Sequence, residues 1–589
     1  MMKVKLMKKE REVLVYKKVV RRIMPKSNGR FKYFHPVLQR IYQLRNVGST
    51  NELSRDLNSL LSYSSLSNID KAVSRLIQAL KKQEHIVVIG DFDTDGATST
   101  ALMVSSLRAF GAENVSYLVP NRFTYGYGLS TEIVDIAASG RSELIVTVDH
   151  GISSHAGVAR ANQLGIDVLV TDHHLPGAVL PAAYAIVNPY CKGDQFPSKC
   201  LAGVGVAFYL MLAVRAQLKK NNWFKCHGID SPNMARFLDF VALGTIADVV
   251  PLDKNNRILV YQGLQRIRAA QTHPGILALL EVAGRKYEKL RSVDLGFVIG
   301  PRLNAAGRLD DMSLGVACLL ADNMDAALDI AYQLDALNKE RRLIESQMQK
   351  EAFEAIDTLY LNQNLPVGLC LYREEWHQGV VGLIASRVKE RIHRPTIAFA
   401  KTNDDTLKGS ARSVTGLHIC NVLEAIATKY AGLVSKFGGH AMAAGLNLPA
   451  SRFKEFQQAF SQEVANQLSE DDLQAKLITD GELTSDELTL ELALLIQNAG
   501  PWGQGFPEPL FDGHFKLISQ RVVGQRHLKL IFQLPGDSYC LDGIAFHVDL
   551  KQWPNFQCEY VHLAYRLDVN EFQGYRKLQL FVEHMNIVN

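Results

Sequence analysis

Three short apolar segments in the first half of the chain each run directly into an aspartate. The segments are residues 85–90, 144–148 and 167–171, and the aspartates that follow them are Asp91, Asp149 and Asp172. Helical stretches separate the segments, and this pattern predicts βαβ units with a parallel sheet, to which Tyr184–Asn188 adds a further strand. Ligands of such sheets bind outside the carboxyl ends of the strands, where the strand order reverses. The sequence therefore predicts that these carboxylates converge on one crevice.

The length of the chain, 589 residues, predicts several domains, about three to five by the usual domain size. Residues 323–361 contain no Gly or Pro and have a helical apolar period, so they predict one long helix between two lobes. Strand and helix patterns return from Leu365 to about Pro449 and indicate a second α/β domain. Alternating strands from about Asp480 to Asn589 predict a small β-barrel. The expected fold class is α/β, with two α/β lobes, a connecting helix and a C-terminal barrel.

Composition excludes several classes of protein. With 47% hydrophobic and 21% charged residues, the chain is neither disordered nor fibrous. No apolar run is long enough to span a bilayer and no signal-peptide pattern is present, so we expect an intracellular, cytoplasmic protein. The eight cysteines form no CxxC pair, which argues against a zinc ribbon and against a disulfide framework.

Basic residues are concentrated at the N-terminus. Residues 1–50 hold 14 Lys and Arg against 2 Asp and Glu, although the net charge of the whole chain is only +5. A basic arm of this kind suits a polyanion such as nucleic acid, and it equally suits a solvated, partly disordered tail. A mitochondrial presequence is a third interpretation, which the excess of Lys over Arg and the scarcity of Ser disfavour.

The first strand-end aspartate opens the segment Gly90-Asp-Phe-Asp-Thr-Asp-Gly96. Extended backbone places alternate side chains on one face, so Asp91, Asp93 and Asp95 are expected to face the same way. Such carboxylates repel one another unless cations neutralise them, and oxygen ligands select Mg²⁺, Mn²⁺ or Ca²⁺. The alternative is a solvated acidic turn. An EF-hand is disfavoured, because Leu102 stands where its loop needs a Glu.

Histidines accompany the next two strand ends. His150 follows Asp149, and the pair His173 and His174 follows the third aspartate. A lone histidine is more often structural, but a pair beside a strand-end carboxylate favours a functional site, and imidazole shifts the preferred metal toward Mn²⁺ with Mg²⁺ as the competitor. A further acid, Asp248, lies in an apolar stretch where an unpaired carboxylate is costly, and a ligand role removes that cost.

Several acids and a histidine pair are enough for two cations, which activate water and stabilise both oxygens of an in-line phosphoryl displacement. The sequence therefore predicts hydrolysis of phosphoesters or phosphodiesters. The GxSxG segment of serine hydrolases and the GxxxxGK[ST] loop of nucleoside triphosphatases do not occur in the chain. Gly203 and Gly205 open a helix but follow no strand, so they indicate helix packing rather than a dinucleotide site.

The segments DFDTDG, VDHG, DHH and GTIADVVPL together resemble the four motifs of the DHH phosphoesterase superfamily. Further segments are similar to the bacterial family of single-strand-specific 5′ to 3′ DNA exonucleases within that superfamily. These are residues 300–311, 375–391, 408–413, 436–446 and 501–513. The resemblance therefore extends over nearly the whole chain.

The resemblance implies five regions. They are a basic N-terminal arm (1–65), a DHH domain (66–315), a connecting helix (316–362), a DHHA1 domain (363–465) and an OB-fold domain (470–589). It further implies an exonuclease that releases 5′ mononucleotides from single-stranded DNA with two Mn²⁺ or Mg²⁺ ions, in DNA recombination and repair.

Carried over residue by residue, the resemblance also assigns a metal site. Asp91, Asp93 and Asp149 are expected at one cation, and Asp95, Asp149, His173 and Asp248 at the second. Many superfamily members have His where this chain has Asp91. His174 is expected to position the scissile phosphate or the attacking water, so that His174, His173 and Asp149 form the catalytic centre. Asp172 is expected to orient a neighbouring histidine.

Candidate substrate contacts lie in three segments. Arg302, Asn304 and Arg308 occupy a loop punctuated by Gly and Pro, where guanidinium groups suit phosphate, and the alternative is helix capping or ion pairing. The second domain mixes side chains that suit phosphate contacts and base stacking, namely Arg373, Trp376, His377, Ser386, Arg387, Ser410 and Arg412. Trp376 equally suits a core position. In the motif Gly438-Gly439-His440, backbone N–H groups and His440 are candidates for the terminal phosphate.

Basic and aromatic candidates in the barrel suit additional strand binding, although barrels also place aromatic side chains inside. They are Arg526, His527, Lys529, Tyr575, Arg576 and Lys577.

Two functions remain open from the sequence. The first is the exonuclease, which the arm and the barrel favour over hydrolysis of short oligonucleotides, because both additions suit a long polymer. The second is a scaffold that holds single-stranded DNA without cutting it, and loss of the metal ligands would mark such a relative. The resemblance further implies a monomer that works with a single-strand-binding protein and a DNA helicase, and no membrane.

Overall fold

The computed structural model describes residues 17–25, 31–361, 365–402, 405–536, 538–550 and 552–588. The strands are β1 (Lys18–Arg21), β2 (Ile86–Ile89), β3 (Val115–Leu118), β4 (Leu144–Val148), β5 (Asp167–Thr171), β6 (Ala185–Val187), β7 (Leu369–Tyr372), β8 (Thr396–Lys401), β9 (Thr406–Arg412), β10 (Lys436–Gly439), β11 (Ala443–Pro449), β12 (Lys476–Thr479), β13 (Phe511–Val523), β14 (His527–Gln533), β15 (Cys540–Ala545), β16 (Tyr560–Phe572) and β17 (Tyr575–Val588). The helices are α1 (Pro36–Leu44), α2 (Ile69–Lys82), α3 (Thr94–Ala109), α4 (Thr131–Ser139), α5 (His155–Gln163), α6 (Gly203–Lys220), α7 (Trp223–Cys226), α8 (Leu238–Ala247), α9 (Lys254–Arg268), α10 (Pro274–Val282), α11 (Ser292–Asp294), α12 (Gly300–Leu309), α13 (Ser313–Leu320), α14 (Met324–Leu361), α15 (Val381–Ile392), α16 (Ile419–Lys429), α17 (Phe453–Gln467) and α18 (Leu490–Ala499).

The first domain is built on a five-stranded parallel sheet in the order β3-β2-β4-β5-β6. Strands β2 and β4 are buried along their whole length, as expected for apolar strands covered on both faces. After β2 the chain adds β3 on one side and then crosses to β4 on the other. The strand order therefore reverses between β2 and β4, and the carboxyl ends of these two strands border the crevice in which a ligand of this fold binds.

Four strands of this sheet, β2, β4, β5 and β6, begin and end within one residue of the segments that the sequence predicts. The edge strand β3 is not predicted, because it has only 4 residues, all of them partly exposed. Such a strand lacks the continuous apolar run of its buried neighbours.

Helix α14 confirms the predicted long helix and spans 38 residues. The Asn323 side chain accepts a hydrogen bond from the backbone N–H of Ala326 and so caps the helix at the point where the sequence predicts its start. The helix packs against α10, α12 and α13 of the first domain and against α15 of the second. It therefore joins the two α/β domains through one continuous element.

The second α/β domain contains a sheet in the order β10-β11-β9-β8-β7. Strands β7 and β8 are parallel, whereas the other neighbours are antiparallel. Phe399 of the sheet packs with Phe456 of α17, which stacks on Phe460 in the core of this domain. The predicted α/β class holds for this domain, with a mixed rather than a purely parallel sheet.

The C-terminal strands close into a barrel in the order β13-β14-β15-β17-β16. Neighbouring strands are antiparallel except β15 and β17, which are parallel. Four of the five strands contain segments that the sequence predicts. Strand β15 is not predicted, since Asp542 and Gly543 interrupt its apolar pattern. The barrel confirms the predicted C-terminal fold.

Residues 17–65, described except for 26–30, pack onto the C-terminal part of the chain. Strand β1 pairs in parallel with β12, and α1 buries its apolar face in the main core. Arg45 donates hydrogen bonds to both carboxylate oxygens of Asp480, at 2.6 and 2.8 Å. Part of the N-terminal basic excess is thus neutralised within the protein, while residues 1–16 and 26–30 of the predicted arm lie outside the described residues.

Among the described residues, no helix combines the length and the apolar character needed to cross a membrane.

Candidate active site

The aspartates that follow β2, β4 and β5 lie at the carboxyl edge of the first sheet. Asp91 and Asp149 border the point of strand-order reversal, and both are buried, as is Asp172. Asp149 has a left-handed backbone with φ 65°, which turns the chain sharply at the end of β4. The predicted convergence of strand-end carboxylates is present.

The segment 91–96 does not stay extended, contrary to the expectation from its alternating pattern. The Asp93 carboxylate caps α3 by accepting hydrogen bonds from the backbone N–H groups of Asp95 and Gly96, at 2.9 and 3.1 Å. Asp95 therefore lies in the first turn of a helix and belongs to a different group of candidate ligands from Asp91 and Asp93. Asp is a preferred N-cap residue, and this capping overrides the extended pattern.

The N-terminus of α6 holds Asp95. The backbone N–H groups of Gly203 and Val204 donate to its two carboxylate oxygens, at 2.6 and 3.0 Å. A Cβ atom on Gly203 would lie 2.6 Å from Asp149 Oδ1, so glycine is needed where α6 meets both carboxylates. Gly203 and Val204 are thus site residues that the sequence assigned to helix packing, because no strand precedes them to mark a binding loop.

Three groups of side chains bring candidate metal-binding atoms within 4.8 Å of one another. The groups are Asp91, Asp93 and Asp149; Asp95, His173 and Asp248; and Asp149, His173 and His174. At the centre, His173 Nε2 lies 3.0 Å from Asp149 Oδ1, 3.5 Å from Asp248 Oδ2 and 3.9 Å from Asp95 Oδ2. The structure therefore brings together all six side chains that were predicted as metal ligands.

Two buried atoms of this cluster, Asp149 Oδ1 and His173 Nε2, lie 3.0 Å apart, yet neither has a partner with hydrogen-bond geometry among the described residues. Buried polar atoms without partners are costly, and a cation bound by both atoms would remove that cost. Several carboxylate oxygens together with an imidazole nitrogen form a set of ligands that suits Mn²⁺. Mg²⁺ prefers oxygen ligands alone, so it suits the carboxylates better than the imidazole. The residues present therefore fit divalent cations.

Burial and mutual repulsion raise the pKa values of the clustered carboxyl groups. Burial, followed by the charge of Asp93, raises the pKa of Asp91 to about 8 and that of Asp95 to about 7. Burial and then the neighbouring carboxylates raise the pKa values of Asp149 and Asp248 well above their usual range. Protons and metal cations therefore compete for this cluster.

Asp172 orients the two histidines and is not part of the three ligand groups. Its Oδ1 accepts hydrogen bonds from the backbone N–H groups of His173 and His174, at 2.7 and 3.0 Å, and lies 2.8 Å from His174 Nδ1. Burial would raise the pKa of Asp172, but hydrogen bonding and charge from His174 lower it below the usual value. For His174 the directions are opposite: burial would lower its pKa, but the hydrogen bond and the charge of Asp172 raise it. His174 therefore keeps a proton at Nδ1, and its Nε2 is the ring nitrogen that does not contact Asp172.

A cavity of about 260 Å³ opens beside the carboxylate cluster, between the two α/β domains. Its lining contains four cationic side chains and one carboxylate, namely Arg122, Arg308, Lys408, Arg412 and Asp93. Burial, followed by repulsion from Arg122 and Arg412, lowers the pKa of Arg308 to about 10. Burial also lowers the pKa values of Arg122, Lys408 and Arg412. This crowding of cations suits an anion such as phosphate, which accepts bidentate hydrogen bonds from guanidinium groups. We call this cavity the cationic cavity.

Arg308 and Asn304 reach the cationic cavity from helix α12 rather than from the predicted loop. The proline of this segment stands in the first turn of the helix, where its missing N–H costs nothing. A Cβ on Gly307 would lie 1.9 Å from the Phe92 carbonyl oxygen, so this glycine permits close packing rather than a turn. Asn304 Oδ1 accepts a hydrogen bond from the backbone N–H of Thr94, at 2.8 Å, and so holds the start of α3.

The second domain supplies the opposite wall of the cationic cavity. Arg412 donates hydrogen bonds to Ser386 Oγ at 3.1 Å and to Ser410 Oγ at 3.0 Å, so the two predicted serines fix its guanidinium group. Arg308 donates to the Gly379 carbonyl oxygen at 3.2 Å and thereby ties the first domain to the second.

The motif Gly438-Gly439-His440 ends strand β10 and begins the turn that leads to β11. Gly439 has φ 145°, and a Cβ there would lie 2.5 Å from the Ala443 carbonyl oxygen, so glycine is required. The His440 ring centre lies 5.6 Å from that of His174. The second domain thus brings one predicted substrate residue to the carboxylate cluster.

Three predicted substrate residues have other contacts. Arg302 donates a hydrogen bond to Asp335 of α14 at 2.9 Å, and Arg387 binds a glutamate of the same helix. Trp376 is buried and its indole N–H donates to Glu351 of α14 at 2.9 Å. These side chains hold the domains to the connecting helix, as the alternative interpretations of ion pairing and core packing anticipate.

Arg373 is exposed, and the barrel candidates also lie at the surface. Exposed or half-buried positions are occupied by Arg526, His527, Lys529, Tyr575, Arg576 and Lys577. Tyr575 is 77% exposed, so it does not fill the barrel interior.

The loop between β3 and α4 carries site residues that the sequence did not identify. Arg122 lines the cationic cavity, and the Phe123 ring lies 5.9 Å from that of His377 in the second domain. The Tyr127 ring centre lies 6.0 Å from that of His174. Nothing in the segment resembles a strand-end motif, and its only signal is an aromatic residue between two glycines.

Three family models match the chain in order. They are the DHH family, N-terminal domain, over residues 85–245, the DHHA1 domain over residues 363–466 and the RecJ OB domain over residues 479–584. These matches confirm the resemblance that the sequence motifs indicate.

Known proteins and structures resemble the chain over most of its length. It is 56% identical over 551 residues to the single-stranded-DNA-specific exonuclease RecJ of Escherichia coli, a match that covers 93% of this chain and 96% of that protein. It is 52% identical over 558 residues to the protein of that name from Haemophilus influenzae, with 94% and 97% covered. The crystal structure of RecJ in complex with Mn²⁺ from Thermus thermophilus matches with a TM-score of 0.80 and 28% identity, covering 97% of this chain and 79% of that one. A structure of RecJ from the same organism in complex with Mg²⁺ matches with a TM-score of 0.73.

Proposed function

Since the chain belongs to the RecJ family and is a metal-dependent nuclease, we propose that it degrades single-stranded DNA from the 5′ end and releases 5′ mononucleotides. Its relatives are named for single-strand-specific exonuclease activity. Direction, product and the use of two cations are parts of the proposal, as is a role in DNA recombination and repair.

One observation carries this proposal: a cluster of carboxylates and histidines lies next to the cationic cavity, and Asp93 belongs to both. Carboxylates that bind cations suit the scissile phosphate, whereas a separate set of arginines suits a second phosphate of the same strand. The two features together favour a nucleic acid over a substrate with one phosphate.

Two divalent cations, Mn²⁺ or Mg²⁺, would be held by two of the ligand groups. Asp91, Asp93 and Asp149 would hold one cation and Asp95, His173 and Asp248 the other. Asp149, whose Oδ1 lies 3.0 Å from His173 Nε2, would be shared between them. When bound, such cations supply a water of lowered pKa and neutralise charge that develops on the phosphoryl oxygens.

The protein's own side chains position the strand. Asp172 accepts the Nδ1–H of His174 and raises the pKa of its imidazole, which favours the doubly protonated ring; in that form His174 Nε2 would donate a hydrogen bond to an oxygen of the scissile phosphate. His440 approaches the same place from the second domain. The backbone N–H groups of Gly203 and Val204 keep the Asp95 carboxylate fixed. The site is therefore preorganised by contacts made before the strand binds.

The cationic cavity supports cleavage at a strand end. A terminal phosphate carries more negative charge than an internal phosphodiester, and four cations favour the group with the larger charge. The cavity holds about 260 Å³ and lies beside the cluster, so the nucleotide between terminal and scissile phosphates would be the one released. We assign the phosphate-bearing end as the 5′ end on the strength of the family resemblance.

Digestion of labelled strands tests the proposal. A 5′-labelled single strand should release its label at once as mononucleotide in the presence of Mn²⁺ or Mg²⁺, whereas a 3′-labelled strand should release it only late. A blunt duplex and a chelator should both prevent release. Early release from the 3′ end, or equal cleavage of a dinucleotide and a long strand, would contradict the proposed polarity and substrate.

The cellular setting follows from the same resemblance. We infer that the protein acts as a cytoplasmic monomer on strands that a DNA helicase and a single-strand-binding protein provide. Sedimentation of the purified protein, alone and with each candidate partner, checks this setting.

A further inference from the structure

Residues 501–506, with the sequence PWGQGF, connect α18 to the barrel and lie within the match to the OB-domain model. They pack on residues 248–252, which follow α8 and begin with the candidate metal ligand Asp248. The backbone N–H of Leu252 donates a hydrogen bond to the Gln504 carbonyl oxygen, at 2.7 Å. We call residues 248–252 the ligand loop and residues 501–506 the brace. The C-terminal part of the chain therefore contacts the stretch that carries a candidate metal ligand.

Two glycines allow the brace to lie directly on the ligand loop. A Cβ on Gly503 would lie 2.8 Å from an atom of the Leu252 side chain. A Cβ on Gly505 would lie 3.2 Å from the Cβ of Pro251. Gly505 also has φ 71°, a conformation that favours glycine. Larger residues at these two positions would push the ligand loop away from the brace.

The first domain holds the brace in place. Trp502 and Phe506 are buried and their rings stack, with centres 5.0 Å apart. The Trp502 carbonyl oxygen accepts a hydrogen bond from Ser292 Oγ, at 2.7 Å. The Arg257 guanidinium lies 4.3 Å from the Phe506 ring centre and donates a hydrogen bond to the Leu252 carbonyl oxygen, at 2.8 Å. The brace is therefore a fixed surface rather than a loose connection to the barrel.

The ligand loop is strained at the residue after Asp248. Val249 has φ 60°, an outlier for a β-branched residue, and it is 62% exposed. A cavity of about 750 Å³ lies beside it, lined by residues of the ligand loop and of the brace. Strained backbone persists only where neighbouring contacts fix it. Burial does not fix Val249, so its conformation depends on contacts to Pro251 and Leu252, which come from α9 and from the brace.

The position of the Asp248 carboxylate depends on the backbone of the ligand loop. Its Oδ2 lies 3.5 Å from His173 Nε2, at the centre of the cluster. Backbone N–H groups at the start of α6 hold the Asp95 carboxylate, whereas the Asp248 carboxylate accepts no hydrogen bond among the described residues. A shift of the ligand loop would therefore move this carboxylate relative to the other candidate ligands.

We propose that the brace positions Asp248 and so sets how tightly the cation at Asp95, His173 and Asp248 is bound. This inference rests on the proposed function, which assigns Asp248 to that cation. The brace residues are positioning residues, because they act on the carboxylate through the ligand loop. Groups that orient metal ligands typically contribute about 10- to 100-fold to metal affinity. Tight metal binding in the first domain thereby depends on a segment that belongs to the barrel domain.

Calorimetric titration of the metal-free protein with Mn²⁺ tests the role of the brace. Gly505→Ala adds a methyl group against Pro251 and should raise the Mn²⁺ dissociation constant about 10-fold or more. Ser292→Ala removes the hydrogen bond to the Trp502 carbonyl oxygen and should raise the constant by a smaller factor. It keeps the test decisive if Gly505→Ala does not fold. Saturating Mn²⁺ should restore the hydrolysis rate of both variants, because every metal ligand is still present.

Gly165→Ala is the matched control. Gly165 has φ 72°, nearly that of Gly505, and nothing among the described residues lies within 4 Å of its Cβ. It precedes β5, whereas the site lies at the other end of that strand. The control variant therefore has the same backbone strain, and it should keep the wild-type dissociation constant.

Wild-type dissociation constants for Gly505→Ala and Ser292→Ala would overturn the inference, as would hydrolysis rates that saturating Mn²⁺ does not restore. Asp248→Asn separates this failure from that of the proposed function. It should weaken Mn²⁺ binding more than either brace variant does. Unchanged Mn²⁺ binding in Asp248→Asn would refute the proposed metal site itself.

Discussion

Gly203 lies where two carboxylates of the site meet the start of α6. A methyl group at this position would lie 2.6 Å from both the Cβ and Oδ1 atoms of Asp149, and the residue's own N–H binds Asp95. We expect Gly203→Ala to lower metal affinity and activity about 10- to 100-fold, as for other residues that orient metal ligands. Calorimetric titration with Mn²⁺ measures the change in metal affinity. Gly205→Ala is the control, because the three atoms nearest to its Cβ would all belong to the Leu201 side chain, the first at 3.1 Å. Equal effects of the two substitutions would contradict this role.

The raised carboxyl pKa values predict a pH dependence of the metal-free protein. The pKa of Asp91 is raised from 3.8 to about 8, so the folded protein holds more protons than the unfolded chain between these values. Stability from this group is therefore present below pH 3.8 and lost as the pH rises through about 8. With chelator, the thermal midpoint should fall between about pH 6 and pH 9 more steeply in wild type than in Asp91→Asn. Mn²⁺ should raise the midpoint more at the higher pH, and identical slopes for both proteins would contradict the assignment.

Individual residues show how far sequence reasoning reaches at this scale. Asp149 and His173 could be predicted, because a charged residue directly after an apolar strand leaves a visible pattern. Gly203 could not be assigned to the site, because its role depends on where α6 lies in three dimensions. Trp376 suited both strand binding and the core, and only its bond to Glu351 separates these roles.

At the scale of elements, a buried ion pair at the end of α1 fixes that helix to the C-terminal part of the chain. The Arg45 and Asp480 side chains are only 2% and 1% exposed. Removing Arg45 leaves the buried Asp480 carboxylate with the partly exposed Arg22, 3.2 Å away, so Arg45→Ala should lower the free energy of unfolding by about 3 kcal/mol, the lower end of the range for a buried pair. Arg160→Ala is the control, because Arg160 and Asp135 are 38% and 51% exposed and should contribute about 0–1 kcal/mol. Chemical denaturation measures both, and equal shifts would contradict the difference.

Elements whose pattern is local could be predicted, and those that depend on packing could not. Helix α14 has an uninterrupted apolar period and a capping Asn323, so its start could be placed to within one residue. Helix α12 is predicted as a loop, because Pro301 and Gly307 are residues that normally interrupt helices. Pro301 is tolerated because it lies in the first turn of the helix. Gly307 is needed because it packs against the Phe92 carbonyl, a tertiary contact that the local sequence does not reveal.

At the scale of the whole molecule, the cationic cavity forms only where the two α/β domains meet. Arg308 comes from the first domain and Arg412 from the second. Arg412→Ala should raise KM about 10- to 100-fold for a strand with a 5′-phosphate, because a charge-assisted hydrogen bond is lost. A 5′-hydroxyl strand should be affected less. Arg452→Ala is the control, because Arg452 is a partly exposed residue of the same domain that pairs with Glu455. An equal rise in KM for the 5′-phosphate and the 5′-hydroxyl strand would contradict a terminal-phosphate site.

The order of the domains along the chain could be predicted from the sequence, but their relative positions in space could not. The sequence indicates two α/β domains, a helix and a barrel, since each has its own periodicity. It does not indicate that Arg308 reaches Gly379 across the domain boundary or that Arg45 meets Asp480, because these partners lie far apart in sequence. Contacts of this kind complete the site and fix the domains.

We infer that the strand-end carboxylates are the catalytic site. The single-turnover rate of hydrolysis of a long single strand at saturating Mn²⁺ tests this, for wild type, Asp149→Asn and the surface control Asp135→Asn. Asp149 contributes to two of the three ligand groups, so its substitution should reduce the rate by about 10³-fold or more, while the control keeps the wild-type rate. An Asp149→Asn rate within a few-fold of wild type would show that hydrolysis takes place elsewhere.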